Sequence, residues 1–452
     1  MIINIAMSVA PNRDPVHGAP VRSELPASEA ACPRVAETRA TRLRLGLPKW
    51  RWLAVAGPGI LVMLADTDAG SIITAAQSGA QWGYKLLALQ LLLIPILYMV
   101  QELTLRLGLV TGRGHGELIA ERFGKGWAWL SVSTLMLACV GAIVTQLSGM
   151  AGVGALFGIP AWAMMLAVVG GVLLMVWTGS YRSVERIAIA LGLFELAFVA
   201  VAIAAHPHPH EVAAQIGNIP LGNSKYLYLV AANLGAVIMP WMIFYQQSAV
   251  LDKGLTAKDL KLARLDTAIG AVVTQVVMAA VLMAVAATIG RHGAGASLAD
   301  VPSIAHALMP FLGDAMGRVV FAAGMTGAAL VATIVVCLTA AWGVGEVAGF
   351  KRSLEHHPTE APWFYGIFSA CLVGGGVLVA TNINLVALSV AVEVMNALLL
   401  PIVLGFLYLL ALKTLPAPYK LSRPYAILCG AVVAVTAGFG VYAGLAGAVG
   451  GG

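Results

Sequence analysis

The sequence predicts an all-α integral membrane protein built as two five-helix halves plus one further helix. Three observations carry that prediction: the composition, the recurrence of apolar runs, and a pair of interruptions in corresponding runs. Of 452 residues, 60% are hydrophobic and only 11% are charged, with a mean hydropathy of +0.87, values that belong to membrane chains. Runs of about 20 apolar residues, enough to cross a bilayer, recur near residues 54–80, 84–106, 127–157, 161–178, 187–205, 226–250, 267–290, 318–345, 363–381, 384–412 and 424–447. Repeat one covers about 54–205, repeat two about 226–412, and the extra helix about 424–447.

Eleven spans put the two termini on opposite sides, so charge tests the count. With the N-terminus cytoplasmic, 23 of the 27 Lys and Arg fall in cytoplasmic segments and their flanks, leaving only Lys85, Lys225, Arg291 and Arg318 outside. That asymmetry is a strong positive-inside signal, and one missed helix would scramble it. The net charge of +6 therefore reflects loop asymmetry and gives no reason to expect nucleic acid as a partner. Residues 1–50 read as a polar, basic, disordered cytoplasmic tail without the apolar h-region of a removable signal peptide. Residues 51–452 form the transmembrane domain. The five cysteines, Cys32, Cys139, Cys337, Cys371 and Cys429, lack metal-type spacing and read as small apolar residues, with no disulfide framework.

The first apolar run, from Gly57 to Ser71, is interrupted by Asp66 and Asp68 and by the weak helix formers Ala69-Gly70-Ser71. A charged side chain in mid-bilayer costs from roughly 3 to more than 10 kcal/mol and marks a transport path or relay. A break in a spanning helix frees backbone groups that a protein cavity must satisfy. The prediction is a half-helix, a joint carrying Asp68, and a second half-helix. Glu195 and Glu393 are the other deep acids. Glu102 lies near enough to a cytoplasmic end to reach the interface.

The run that opens the second half reads Val230 to Ser248 and contains Pro240. Proline removes one helical hydrogen bond and clashes with the carbonyl four residues back. The break therefore frees the oxygen of Ala236 and sets the Met239 thioether beside it. Two interrupted segments in corresponding positions point to a binding site at the bilayer midplane. Gln77-Ser78 and Gln247-Ser248 follow the two joints at similar spacing, which supports the pairing.

Gly57-Pro58-Gly59, the joint Asp68-Ala69-Gly70-Ser71, Gln77 to Tyr84, Arg106 to Gly112 and Met239-Pro240 together resemble the Nramp family of divalent metal transporters, over about residues 50–412. The resemblance implies a LeuT-type fold of 5+5 inverted repeats plus one helix, with helices 1 and 6 interrupted. It implies alternating access in the plasma (inner) membrane, with a cytoplasmic N-terminus. The family joint reads Asp-Pro-Gly-Asn, so Asp68 matches a ligand aspartate and Ser71 replaces a ligand asparagine. In the sixth span Met239 matches a ligand methionine, Ala236 a carbonyl ligand, and Trp241 replaces a histidine. Glu393 stands where the family has a glutamine that helps hold the metal. In the third span Gln146 and Gly149 replace acids associated with proton movement, which argues against proton coupling. The stretches Pro240 to Lys253 and Glu360 to Gly366 are more similar to a divergent branch that includes magnesium transporters; that branch tends to lose the methionine kept here.

The metal set expected from these readings is Asp68, Ser71, Ala236, Met239, Glu393 and Asp66, with Asp66 either binding or lining the access path. Oxygen ligands suit hard ions such as Mg2+ and Mn2+, and a thioether adds preference for softer metals. Mn2+ or Fe2+ is favoured, uncoupled Mg2+ movement is the alternative, and a Na+-coupled carrier of organic solutes is the alternative of another class. The divalent cation is cargo and no cofactor is expected. The bilayer is the other partner, and no obligate protein partner is inferred. Glu195 reads as a buried carboxyl, protonated or hydrogen-bonded, in preference to a transport role. His206-Pro207-His208-Pro209-His210 and His356-His357 read as solvated, and the mixed charges from Asp252 to Asp266 as a gate or helix anchor. No phosphate-binding loop or catalytic constellation is present in the sequence, so neither ATP use nor an enzyme is expected.

Overall fold

The computed structural model describes residues 57–179, 186–187, 190, 192–290, 298–308, 313–354, 356–381 and 385–450. The predicted tail at 1–50, Cys32, and part of the fifth span lie outside the described residues. Among the described residues all regular structure is helical. In chain order the helices are α1 (Pro58–Asp66), α2 (Ala69–Trp82), α3 (Leu87–Thr111), α4 (His115–Phe123), α5 (Lys125–Leu156), α6 (Ala161–Thr178), α7 (Ala197–Ala204) and α8 (Pro209–Ile216). They continue as α9 (Ser224–Val237), α10 (Pro240–Asp252), α11 (Leu260–Thr288), α12 (Val301–Leu308), α13 (Asp314–Ala348), α14 (Pro362–Ala380), α15 (Leu385–Thr414) and α16 (Arg423–Gly450). Nine stretches among the described residues are long and apolar enough to cross a membrane, and α1 with α2 make a tenth as one bent span. The fifth predicted span is described only from its second half, as a 3-10 turn at Leu193–Leu196 leading into α7.

Both interruptions are present. Between α1 and α2 the non-helical residues are Thr67 and Asp68, and the axis bends by 47°. Between α9 and α10 they are Ile238 and Met239, at φ −121° and −91°. Asp68 and Met239 thus hold the same place, the last non-helical residue before the second half-helix. Pro240 is the first residue of α10, where its missing N–H costs no hydrogen bond.

Helix α11 is the splint for the first broken span. Near its start, the Asp266 carboxylate accepts the N–H groups of Gly59 at 2.8 Å and of Gly57 and Ile60 at 3.3 Å. Eight residues on, the Thr274 hydroxyl donates to the Met63 carbonyl. These two anchors set α1 alongside this stretch of α11. Asp266, Gly270 and Thr274 share one face at four-residue spacing. A Cβ on Gly270 would come within 2.6 Å of Met63, and one on Gly59 within 2.6 Å of Asp266, so glycine on each helix permits the approach. The sequence reading placed Asp266 in a mixed-sign loop; it is instead buried within α11 as the N-terminal cap of α1.

The serines of the echoed Gln-Ser pairs serve the two ends of the bundle. Asn233 of α9 donates to Ser78 at 2.8 Å and accepts from Gln90 of α3 at 2.6 Å. At the opposite end, Ser248 donates to Glu346 of α13 at 2.6 Å, and Glu346 also accepts the Gly116 N–H of α4 at 2.7 Å. Glu102 is buried, and one of its oxygens takes both Arg106 and Arg264.

Candidate metal site between the two broken helices

The first joint is organised by Asp68. Its backbone is extended, and its carboxylate accepts the Ser71 N–H at 2.7 Å, capping α2. An anion there is favoured by the helix N-terminus. Its other oxygen accepts from the Gln146 amide of α5 at 2.6 Å, while the Gln146 carbonyl accepts the Ala69 N–H at 2.8 Å. Ser71 then crosses to the second joint, its hydroxyl donating to the Ala236 carbonyl at 3.0 Å. The oxygen freed by Pro240 is thereby met by the residue that the sequence placed opposite it.

Glu393 enters from α15. A Cβ on Gly70 would overlap its Oε1 and sit 3.4 Å from Asp68 Oδ1, so both carboxylates flank one glycine. The other Glu393 oxygen accepts from Asn396 at 3.0 Å. The backbone of Glu393 presses on Gly235 of α9, where a side chain would overlap its carbonyl. Gly70 and Gly235 are therefore small because a carboxylate and a neighbouring backbone occupy the space.

Asp66 closes α1 with neither oxygen hydrogen-bonded, and it lies within electrostatic reach of Asp68 and Glu393. Glu195 is also buried, with the Thr67 hydroxyl as its hydrogen-bonding neighbour and Asp68 and Asp66 close by. The sequence reading kept Glu195 apart from the joint; the structure gathers all four deep acids around it. Among the described residues no Lys, Arg or His forms an ion pair with any of them. Burying charge without a fixed counter-charge is costly, so an exchangeable cation or proton suits the cluster.

Met239 is buried, but its sulfur accepts the Trp241 indole N–H at 2.9 Å. One sulfur lone pair is thus engaged in this conformation. Among the described residues no three His, Cys, Asp or Glu side chains converge as a ready metal-holding group. The structure joins Asp68, Ser71 and Ala236 by hydrogen bonds, sets Glu393 against them, leaves Asp66 bare, and turns Met239 to Trp241. Gln146 was read only as a departure from family acids; its amide holding Asp68 is what sequence reasoning missed. His206, His208 and His210 are exposed, and the strip runs into α8 from Pro209 rather than staying a loop. Cys139, Cys337, Cys371 and Cys429 are free thiols.

Two broken spans whose non-helical joints face each other across buried acids make this a fold of the inverted-repeat secondary-transporter class. Solved structures agree on the fold. A manganese transporter of Eremococcus coleocola, crystallised with an aromatic bis-isothiourea compound, superposes with a TM-score of 0.71 at 19% identity, over 90% of each chain. A Na+-coupled sialic acid symporter in an outward-open state superposes at 0.54 with 15% identity, over 88% of this chain and 89% of its own. The chain belongs to the Nramp family, natural resistance-associated macrophage protein-like, whose pattern it matches over residues 59–446. Curated relatives include the divalent metal cation transporter MntH of Verminephrobacter eiseniae, 27% identical over 58% of this chain and 61% of its own length. MntH of Brucella suis is 29% identical over 63% of this chain and 65% of its own. The match thus spans a little under two thirds of these first relatives.

Proposed function

We propose that this protein carries divalent metal cations across the membrane by alternating access, with Mn2+ the favoured cargo. The observation that carries the reading is the Ser71 hydroxyl bonded to the Ala236 carbonyl beside Asp68, among buried acids with no fixed cation. Asp68 is the main anionic ligand. The Ser71 oxygen and the Ala236 carbonyl exchange their mutual hydrogen bond for the metal, and Glu393 supplies the oxygen that the missing asparagine would have given. Asp66 and Glu195 balance charge around the filled site. The MntH relatives and the manganese transporter fold support Mn2+. The basic segments face the cytoplasm by the positive-inside rule.

Uptake of Mn2+ into proteoliposomes tests this directly. Asp68→Ala abolishes uptake, and unchanged uptake would remove Asp68 from the site. Internal pH stays flat during metal movement in the uncoupled reading, and stoichiometric acidification would contradict it. A second reading, movement of the hard ion Mg2+, is favoured by one observation: the Met239 sulfur is held by Trp241 while the remaining donors are all oxygen. Competition between Mg2+ and Mn2+ for uptake separates the two.

A further inference from the structure

A second charged site lies away from the joints, at the basic end of the bundle. Arg106, Lys258, Lys261, Arg264 and Lys420 line a cleft of about 360 Å3, together with Ala257, Leu260, Pro418 and Tyr419. Two of these cations are fixed in place. Arg106 donates to Glu102 at 2.7 and 3.0 Å and to the Tyr419 carbonyl at 3.3 Å, and it lies over the Tyr425 ring. Arg264 takes the same Glu102 oxygen at 2.6 Å. No ion pair engages Lys258, Lys261 or Lys420 among the described residues. Among the described residues the ion pairs made by these five cations are both with Glu102, which the two guanidiniums share.

We infer that this cleft binds the phosphate group of an anionic phospholipid from the leaflet on the basic side. A planar guanidinium pair with flexible ammonium groups around it matches a phosphate's several oxygens, and basic pockets between membrane helices suit acidic headgroups. A free phosphate shares that chemistry. What selects the lipid is the surface directly above. Leu265, Ile269, Val272 and Val276 of α11 are each at least 40% exposed and form one stripe at helical spacing. Exposed Lys261 stands four residues before Leu265, on the same face. Beside the cleft, α16 also exposes Ile427 and Leu428. Acyl chains lie against these side chains while the headgroup reaches the cations below. The site shares no residue with the metal joint and stands whether or not the cargo is Mn2+.

The test is native mass spectrometry of the detergent-purified full chain, titrated with phosphatidylglycerol, phosphatidylcholine or inorganic phosphate. Phosphatidylglycerol is retained in preference to phosphatidylcholine, and inorganic phosphate does not displace it at equal concentration. Lys258→Gln, Lys261→Gln and Lys420→Gln each lower phosphatidylglycerol affinity by about fivefold, whereas Lys125→Gln, an exposed cation elsewhere at that end, leaves it unchanged. These lysines are exposed, so each single variant keeps its melting temperature. Equal retention of the two lipids, or affinity indifferent to the three substitutions, would overturn the site. Displacement by inorganic phosphate would overturn the lipid and leave a free-anion site.

Discussion

Gln146 holds Asp68 in place by gripping both sides of the joint, donating to its carboxylate at 2.6 Å and accepting the next residue's N–H at 2.8 Å. A hydrogen bond to a charged group contributes about 1.5–3 kcal/mol, here spent on the orientation of the principal ligand. Gln146→Ala is expected to weaken apparent Mn2+ affinity by at least about tenfold while the protein still folds, as metal titration in proteoliposomes would read. An unchanged affinity would mean that Ser71 alone positions the carboxylate.

Asp266 holds the N-terminus of α1 to α11, and Thr274 holds the Met63 carbonyl in its last turn. Asp266→Asn keeps size but loses charge before three backbone donors. Asp266→Ala leaves those N–H groups without an acceptor, at a cost of about 1–3 kcal/mol. The melting temperature should fall in the order wild type, Asn, Ala. If the alanine variant melts no lower than the asparagine variant, the cap is not what holds α1.

Both joints were legible because each carries a local contradiction. Asp68 and Pro240 are residues that an intact spanning helix rejects, and the two-residue breaks fall where they stand. Ten of the eleven expected spans are recovered among the described residues, and those followed from run length and the placement of Lys and Arg. Glu195 was not legible as a member of the acid cluster, because its proximity to Asp66 depends on how the fifth span packs. Sequence spacing says nothing of that. Asp266 and Glu346 were missed for another reason: each sits where an apolar run meets a charged loop, and only the backbone N–H groups opposite them reveal that they are buried caps. Their one sequence signal was glycine at Gly59 and Gly116, the positions that must come close.

His115 begins α4, outside the membrane-spanning helices, and is fully buried against Phe244 at a ring separation of 4.8 Å. Its Nδ1 lies 3.3 Å from the Gln247 side-chain oxygen, an acceptor, which assigns the proton of the neutral ring to Nδ1. Burial pushes its pKa down to about 4, against a weaker opposing pull from Gln247. The unfolded chain therefore binds the proton first as pH falls. The His115 contribution to stability is complete above about pH 6.5 and lost progressively down to about pH 4, on the order of 3 kcal/mol in total. His115→Gln should flatten that part of the melting profile between pH 6.5 and 4. A wild-type profile with the same slope as the variant would place the imidazole in contact with water.

Trp241 decides whether the sulfur at the second joint is available. Its indole N–H is bound to Met239 Sδ, and both side chains are fully buried. A thioether has lone pairs to spare, yet a donor at 2.9 Å draws electron density from it and orients it away from a cation. Trp241→Phe keeps an aromatic ring in the core while deleting that donor together with part of the indole's bulk. If Met239 serves as a ligand once Trp241 releases it, the substitution raises preference for the softer ions Mn2+ and Cd2+ over Mg2+, and Met239→Ala in the same background cancels the gain. Competition uptake in proteoliposomes, run with both variants and their combination, reads the effect as an interaction between the two substitutions. Additive behaviour would mean the sulfur packs the joint and coordinates nothing, leaving the all-oxygen donors and the Mg2+ reading in its place.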